Sequence, residues 1–180
     1  MTGGGSSIPE VQSLLRVLAA GRNVAELGAA FGEGAAAMAE TARSVVTVEL
    51  DAERAAHARA RLAHHANVEL IEGDCYELLR GRGPFGLVFA DGGIYDWEAI
   101  LSFLEPGGLI VKDDLTPGRP VAGDPVREFL LRDPRVAAVE ILMTPQSAAI
   151  VAVKRTGQRR TGASSASPSE RGTSTRPSAV

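Results

Sequence analysis

A single cysteine, Cys75, stands in the 180 residues, which excludes an internal disulfide and any cysteine-based zinc site. Aromatic residues are scarce at 4%, and Ala, Gly, Val and Leu fill the chain instead. That mix suits a tightly packed α/β domain better than an aromatic-rich sandwich. No apolar run approaches the roughly 20 residues of a membrane span. The opening MTGGGSSIPE has neither the basic start nor the apolar stretch of a signal peptide. We therefore expect a cytoplasmic protein with no membrane partner. Positive charge is also short where it would matter. The net charge is −3, but five Arg and one Glu from Arg155 onward give the tail +4 and leave the body at −7. An acidic body argues against a nucleic-acid partner, because phosphate contacts need Lys and Arg.

What the sequence does have is length for one domain and an apolar fraction of 44%, enough for a true core. Residues 1–7 read as a flexible Gly/Ser lead-in, 8–154 as the domain, and 155–180 as a disordered polar, basic tail. Within the domain, short β-like runs alternate with helical stretches. Pro9 opens a helix carrying Val11, Leu14, Leu15 and Leu18, which ends at Gly21. Strands are expected at Asn23–Leu27, Ser44–Leu50, Asn67–Ile71, Phe85–Ala90, Leu109–Lys112, Val136–Leu142 and Ala148–Val153. Helices are expected at about Glu33–Ala42, Ala52–His64, Tyr76–Leu79, Trp97–Leu104 and Val126–Leu131. This alternation predicts a Rossmann-like three-layer α/β/α sandwich around a mostly parallel seven-stranded sheet. The last two strands flank Thr144-Pro145-Gln146 as a hairpin, so the final strand should run antiparallel. Ligands then belong at the carboxyl ends of the first strands.

Residues able to do chemistry fall at those strand ends. After the first strand comes Glu26-Leu27-Gly28-Ala29-Ala30-Phe31-Gly32-Glu33-Gly34, where Gly28 and Gly32 allow a sharp turn and close approach to a ligand. The spacing is E-x-G-x-x-x-G-x-G rather than the dinucleotide G-x-G-x-x-G. Glu49, with Leu50 beside it, ends the second strand about 20 residues later, where a carboxylate can accept from both hydroxyls of a ribose. Asp74 and Cys75 follow the third strand; Asp74 is also a good helix N-cap, and Cys75 a small packing residue. Asp91 ends the fourth strand, and Lys112-Asp113-Asp114 ends the fifth. The three carboxylates should converge at one sheet edge, where they repel unless a cation such as Mg²⁺ or Ca²⁺ joins them. The alternative is that Asp113 and Asp114 only cap the following loop.

The glycine loop resembles the S-adenosylmethionine (SAM) binding loop of class I methyltransferases. That resemblance implies cofactor contacts from Glu26, Gly28, Ala29, Gly32, Gly34, Glu49, Leu50, Asp74, Cys75 and Asp91, with Asp74 at the adenine amino group and Cys75 beside the ring. Taken with Ser7-Ile8-Pro9-Glu10, Leu104-Glu105-Pro106-Gly107-Gly108, Val111-Lys112-Asp113-Asp114 and the last strand, residues 7–154 resemble the metal-dependent catechol and caffeoyl-CoA type O-methyltransferases. In that family a divalent ion is held after the fourth and fifth strands, which implies Asp91, Asp113 and Asp114 as ligands. Asp114 replaces the family's Asn. The ion orients a small acceptor's hydroxyl and lowers its pKa.

The family's catalytic Lys would fall at Ile94. Lys112 is the substitute beside Asp91 as a catalytic candidate. In an extended strand, however, it points opposite to Val111 and Asp113, so a solvent-facing or ion-paired side chain is expected. No Asn/Asp-Pro-Pro-Tyr motif follows the fourth strand, which argues against methylation of nucleobase amino groups. His57, His64 and His65 read as surface residues away from the site. Tyr95 and Trp97 suit either an acceptor pocket or helix packing. The oligomeric state stays open between monomer and homodimer. A non-catalytic SAM-binding protein and an NAD-binding oxidoreductase are the competing readings.

Overall fold

The structure, a computed structural model, describes residues 7–91 and 95–156. The tail beyond Thr156, the lead-in before Ser7 and the family-Lys position Ile94 lie outside the described residues. The strands are β1 (Asn23–Leu27), β2 (Ser44–Glu49), β3 (Val68–Glu72), β4 (Phe85–Ala90), β5 (Leu104–Leu115), β6 (Val136–Thr144) and β7 (Ser147–Lys154). They form one sheet in the order β3-β2-β1-β4-β5-β7-β6. β1 to β5 pair in parallel, and β7 runs antiparallel to both β5 and β6. The mostly parallel sheet with its antiparallel closing strand is therefore the one the alternation predicts. The strand order reverses between β1 and β4, the crevice where open α/β sheets bind ligands.

The helices are α1 (Pro9–Ala19), α2 (Glu33–Ala39), α3 (Ala52–Leu62), α4 (Cys75–Leu78), α5 (Trp97–Phe103) and α6 (Pro125–Arg132). Two cores lie on opposite faces of the sheet. Leu87, Phe89 and Val111 join Val11, Leu15, Met38 and Ala58 on one face. Val88, Ala90 and Ile110 join Ile100, Phe103 and Leu130 on the other. All six residues of β4 are buried, as a central parallel strand covered on both faces requires. Among the described residues four helices start from an aspartate. Asp51, Asp74, Asp96 and Asp124 each accept backbone N–H groups of the following turn. Among the described residues no helix is long and apolar enough to cross a membrane.

β5 departs from expectation. It begins at Leu104, five residues earlier than the sequence suggests, and continues to Leu115. Phe85 pairs with Leu104 and Leu87 with Leu109, so the Glu105–Gly108 turn is accommodated as an irregularity within the strand. A second irregularity follows Lys112, where pairing with β7 jumps to Leu115.

The segment leaving β5 is fastened by Arg127, a residue with no motif to mark it. Its guanidinium is 1% exposed. It donates to both Glu140 oxygens (2.8 and 2.7 Å), to Asp124 Oδ2 (2.6 Å) and to the Thr116 carbonyl (2.8 Å). One side chain thus joins α6, β6 and the loop after Asp114. Replacing it with Met strands two carboxylates that keep partial access to water. Arg127→Met should therefore lower unfolding free energy by about 3 kcal/mol, the lower end for a broken buried pair. Urea titration checks this, and a loss inside experimental error would show the network to be ornamental.

Candidate active site

The glycine loop is tied to β2 at several points. Gly28 and Gly32 take left-handed φ of 95° and 87°, as the turn demands of residues without a Cβ. The Gly28 and Ala29 N–H groups both donate to the Val48 carbonyl, at 2.9 and 3.1 Å. Ala30 also lies at positive φ, 46°, which costs an L-residue roughly 1–2 kcal/mol. Glu49 holds it there: its Oε2 accepts the Ala30 N–H at 2.8 Å, while Oε1 accepts the Asp51 N–H at 3.0 Å. From α3, Arg61 donates to the Phe31 carbonyl at 2.8 Å and pairs with Glu33 at 2.6 Å. Sequence reading gave Glu49 a ligand role; the structure adds that it builds the loop. Each of its oxygens keeps a second lone pair.

Glu26 is fully buried in β1. Its Oε2 accepts from Thr47 Oγ1 at 2.5 Å, and its Oε1 has no partner. A Cβ on Gly34 would collide with that Oε1, so Gly34 serves to make room for the carboxylate rather than to turn the chain. Burial raises the Glu26 carboxyl well above its usual range, against the Thr47 bond, and nearby Asp91, Asp113 and Glu49 push the same way.

Leu50 is 74% exposed beside Glu49, and Phe31 at the loop tip is also exposed. His57, expected to be remote, meets Phe31 edge-on at 5.9 Å and thus borders the loop. Asp74 caps α4 with Oδ1 alone, accepting from Tyr76 N and Glu77 N, so Oδ2 remains for a ligand. Burial pushes the Cys75 thiol up to about 11, consistent with a packing residue.

The acidic residues meet as expected. One carboxylate oxygen from each of Asp91, Asp113 and Asp114 lies within 4.8 Å of the others. Asp113 is 1% exposed and its Oδ1 makes no hydrogen bond. Asp114 adopts positive φ, 57°. Of the two expectations for Lys112, the ion-paired one holds and the solvent-facing one does not. Its ammonium is buried, 3.6 Å from Asp113 Oδ1 and 5.6 Å from the Tyr95 ring centre. Lys112 still lies on the opposite face from Val111, beside Tyr95, and its long side chain folds over the strand end to reach Asp113. Burial alone would lower the Lys112 pKa, but Tyr95, Asp113 and Asp91 together outweigh it and hold it above its usual value. Burial, then Asp113, pushes Asp91 up to about 7; burial, against Lys112, pushes Asp113 up to about 6.

Set beside known proteins, residues 25–115 match a family model described as a methyltransferase domain. A protein-L-isoaspartate O-methyltransferase of Rhodopseudomonas palustris (strain BisB5) is 34% identical over 97 residues, 52% of this chain and 45% of that one. The chain thus spans about half the length of the curated relatives it matches. Among solved structures, the O-methyltransferase TomG from Streptomyces achromogenes, in complex with SAM, superposes with TM-score 0.69 at 24% identity, covering 84% of this chain and 82% of that one. The O-methyltransferase from Bacillus cereus, in complex with SAH, gives TM-score 0.67 at 22% identity, with 86% and 84% covered. These likenesses show the fold.

The raised carboxyls make stability depend on pH. Between the ordinary Asp value of 3.8 and about 7, the folded chain holds more protons at Asp91 and Asp113 than the unfolded chain does. Their contribution is therefore fully present below that window and is lost as pH rises through it. In chelator, the thermal midpoint should fall from about pH 5 to about pH 8, and Asp91→Asn should flatten the fall. An unchanged slope in that variant would remove Asp91 from the explanation.

Proposed function

The chain belongs to the methyltransferase-domain family, and from that membership we propose that it transfers the methyl group of SAM to an oxygen of a small-molecule acceptor with divalent-metal assistance. The observation that carries this reading is the meeting of Asp91, Asp113 and Asp114 at the strand ends beside the glycine loop, with a buried Asp113 oxygen that accepts no hydrogen bond.

In this reading SAM lies across the carboxyl ends of β1, β2 and β3. The unpaired Glu26 Oε1 suits the cationic amino group of the methionine part, since a buried carboxylate is stabilised by an opposite charge. The free lone pairs of Glu49 face the ribose hydroxyls, Leu50 covers the adenine with otherwise exposed apolar surface, and Asp74 Oδ2 accepts from the adenine amino group. Gly28, Ala29 and Gly32 shape the backbone under the cofactor, and Cys75 packs at its edge.

The donor set fits a hard divalent cation: three carboxylates, one of them buried with an oxygen that accepts no hydrogen bond and has only the Lys112 ammonium at 3.6 Å. Asp91, Asp113 and Asp114 would hold the ion, which would supply Lewis-acid lowering of the acceptor hydroxyl's pKa. The chain's own work is orientation. The acceptor oxygen attacks the methyl carbon, the carbon–sulfur bond breaks onto sulfur, and the hydroxyl proton passes to water. Lys112, held as a charged ammonium beside Asp113, offsets the negative charge of the site rather than taking that proton.

A second reading, methylation of a peptide carboxylate, is suggested by the names of the curated relatives. It is the weaker one, because a carboxylate acceptor would face three aspartates against one buried ammonium.

Calorimetric titration of SAM tests the cofactor half. Wild-type protein should bind, and Leu50→Glu, which alters an exposed side chain, should weaken binding roughly tenfold through lost apolar burial. Absence of binding to the wild type would sink the proposal. Turnover of vicinal-diol acceptors should then require Mg²⁺ and be lost in Asp113→Asn; turnover indifferent to chelator would discard the metal.

A further inference from the structure

The chain carries only two lysines, Lys112 and Lys154, among its 19 Lys and Arg residues. Lys154 has a structural task, donating at 2.8 Å to each of the Leu101 and Leu104 carbonyls. Among the described residues Lys112 is tied to no carbonyl. Its contacts are Asp113 Oδ1 at 3.6 Å, too long for a hydrogen bond, and Tyr95, whose ring centre lies 5.6 Å away and whose hydroxyl also interacts with the ammonium. An ammonium on four rotatable carbons needs something to keep it in place.

That support is a row of rings. Tyr95 stacks on Trp97 at 4.8 Å with 18° between planes, and Trp97 stacks on Phe129 at 4.9 Å with 6°. The guanidinium of Arg135 lies 5.7 Å from the Phe129 centre, and Arg135 is itself paired with Glu98 (2.7 Å) and Asp133 (2.8 Å). The row therefore runs from a carboxylate-anchored cation at the surface to a buried cation beside Asp113. Its outer members sit on α5 and α6. Tyr95 leads into α5, and the adjacent Asp96 N–H donates to the Tyr76 hydroxyl at 3.0 Å. Helix packing alone would explain Trp97 and Phe129; it does not explain a cation at each end.

We propose that Tyr95 is a positioning residue, whose ring, backed by Trp97 and Phe129, holds the Lys112 ammonium against Asp113. The functional consequence rests on reading this cleft as the transfer site. A fixed ammonium partly neutralises the aspartates and opposes a divalent ion entering among them. The acceptor end thereby keeps a built-in cation whose place is set by the aromatic row.

Amine labelling of the folded chain with acetic anhydride, read by mass spectrometry at both lysines, tests the positioning directly. Tyr95→Leu should raise labelling of Lys112 roughly tenfold, the scale of a lost desolvated cation–π contact. Tyr95→Phe, which keeps the ring and loses only the hydroxyl, should raise it less than Tyr95→Leu does, and Lys154 should be unchanged in both. Equal labelling of Lys112 in wild type and Tyr95→Leu overturns the proposal, as does a parallel rise at Lys154, which would mark general loosening. Mn²⁺ titration of the same proteins reads the consequence. Tyr95→Leu should tighten Mn²⁺ severalfold when Lys112 is present and have no effect in Lys112→Met. An effect that persists in Lys112→Met overturns the positioning role. Failure of every protein to bind Mn²⁺ overturns the metal reading instead, on which the labelling does not depend.

Discussion

Five carboxylates, Glu26, Glu49, Asp91, Asp113 and Asp114, crowd the carboxyl ends of β1, β2, β4 and β5, and the buried ammonium of Lys112 lies among them. Such a grouping is unfavourable in a low-dielectric setting unless hydrogen bonds, protons or cations offset it. Much of the local architecture can be understood as that offset. Glu49 spends both oxygens on backbone N–H groups and in doing so holds Ala30 in a left-handed conformation. Glu26 takes Thr47 and leaves one oxygen open. Asp91 and Asp113 respond by retaining protons to unusually high pH.

The scaffold tolerates this because its strain is borne elsewhere. β4 and the middle of β5 are buried on both faces and locked into two apolar cores, so the strand ends cannot drift apart to relieve the repulsion. Arg127 fixes the chain that leaves Asp114, at some distance from the carboxylates, by drawing α6 and β6 onto the Thr116 carbonyl. Rigid neighbours thus hold in place a site that would not persist in isolation.

How much of this was legible in the sequence follows from the range of each interaction. The strand-to-helix alternation, the glycine loop and the position of Glu49 depend on local chemistry, and residues 8–154 could be divided into elements within a few positions. The meeting of Asp91 with Asp113 and Asp114 was also legible, because parallel strands put their carboxyl ends on one edge. The ion pairing of Lys112 was among the expectations, but its burial was not. Alternation along a strand predicts which face a side chain leaves from, but it is silent on a long side chain folding back over the strand end. Gly34 was read only as a cofactor contact of the glycine loop; that a side chain there would meet Glu26, eight positions earlier and one layer away, carried no sequence signal. Arg127 and the Tyr95–Trp97–Phe129 row carry no motif, since their partners come from separate elements that only packing brings together.

The choice of lysine at position 112 follows from the same electrostatics. This chain uses arginine at nearly every other basic position, so composition does not account for a lysine in the site. A guanidinium would bind Asp113 in a bidentate fork and stay charged, filling with a hydrogen bond the very oxygen that accepts none here. An ammonium is compact, neutralises one charge without closing off the carboxylate, and can be displaced or give up its proton when another cation arrives. Where repulsion among carboxylates is the main cost of the folded site, any cation or cationic cofactor that binds there is coupled to folding, and the free energy of binding appears directly as stability. The acidic cleft, the confined lysine and the open Glu26 oxygen are then three consequences of one arrangement, in which the site is left short of positive charge so that a positively charged ligand can supply it.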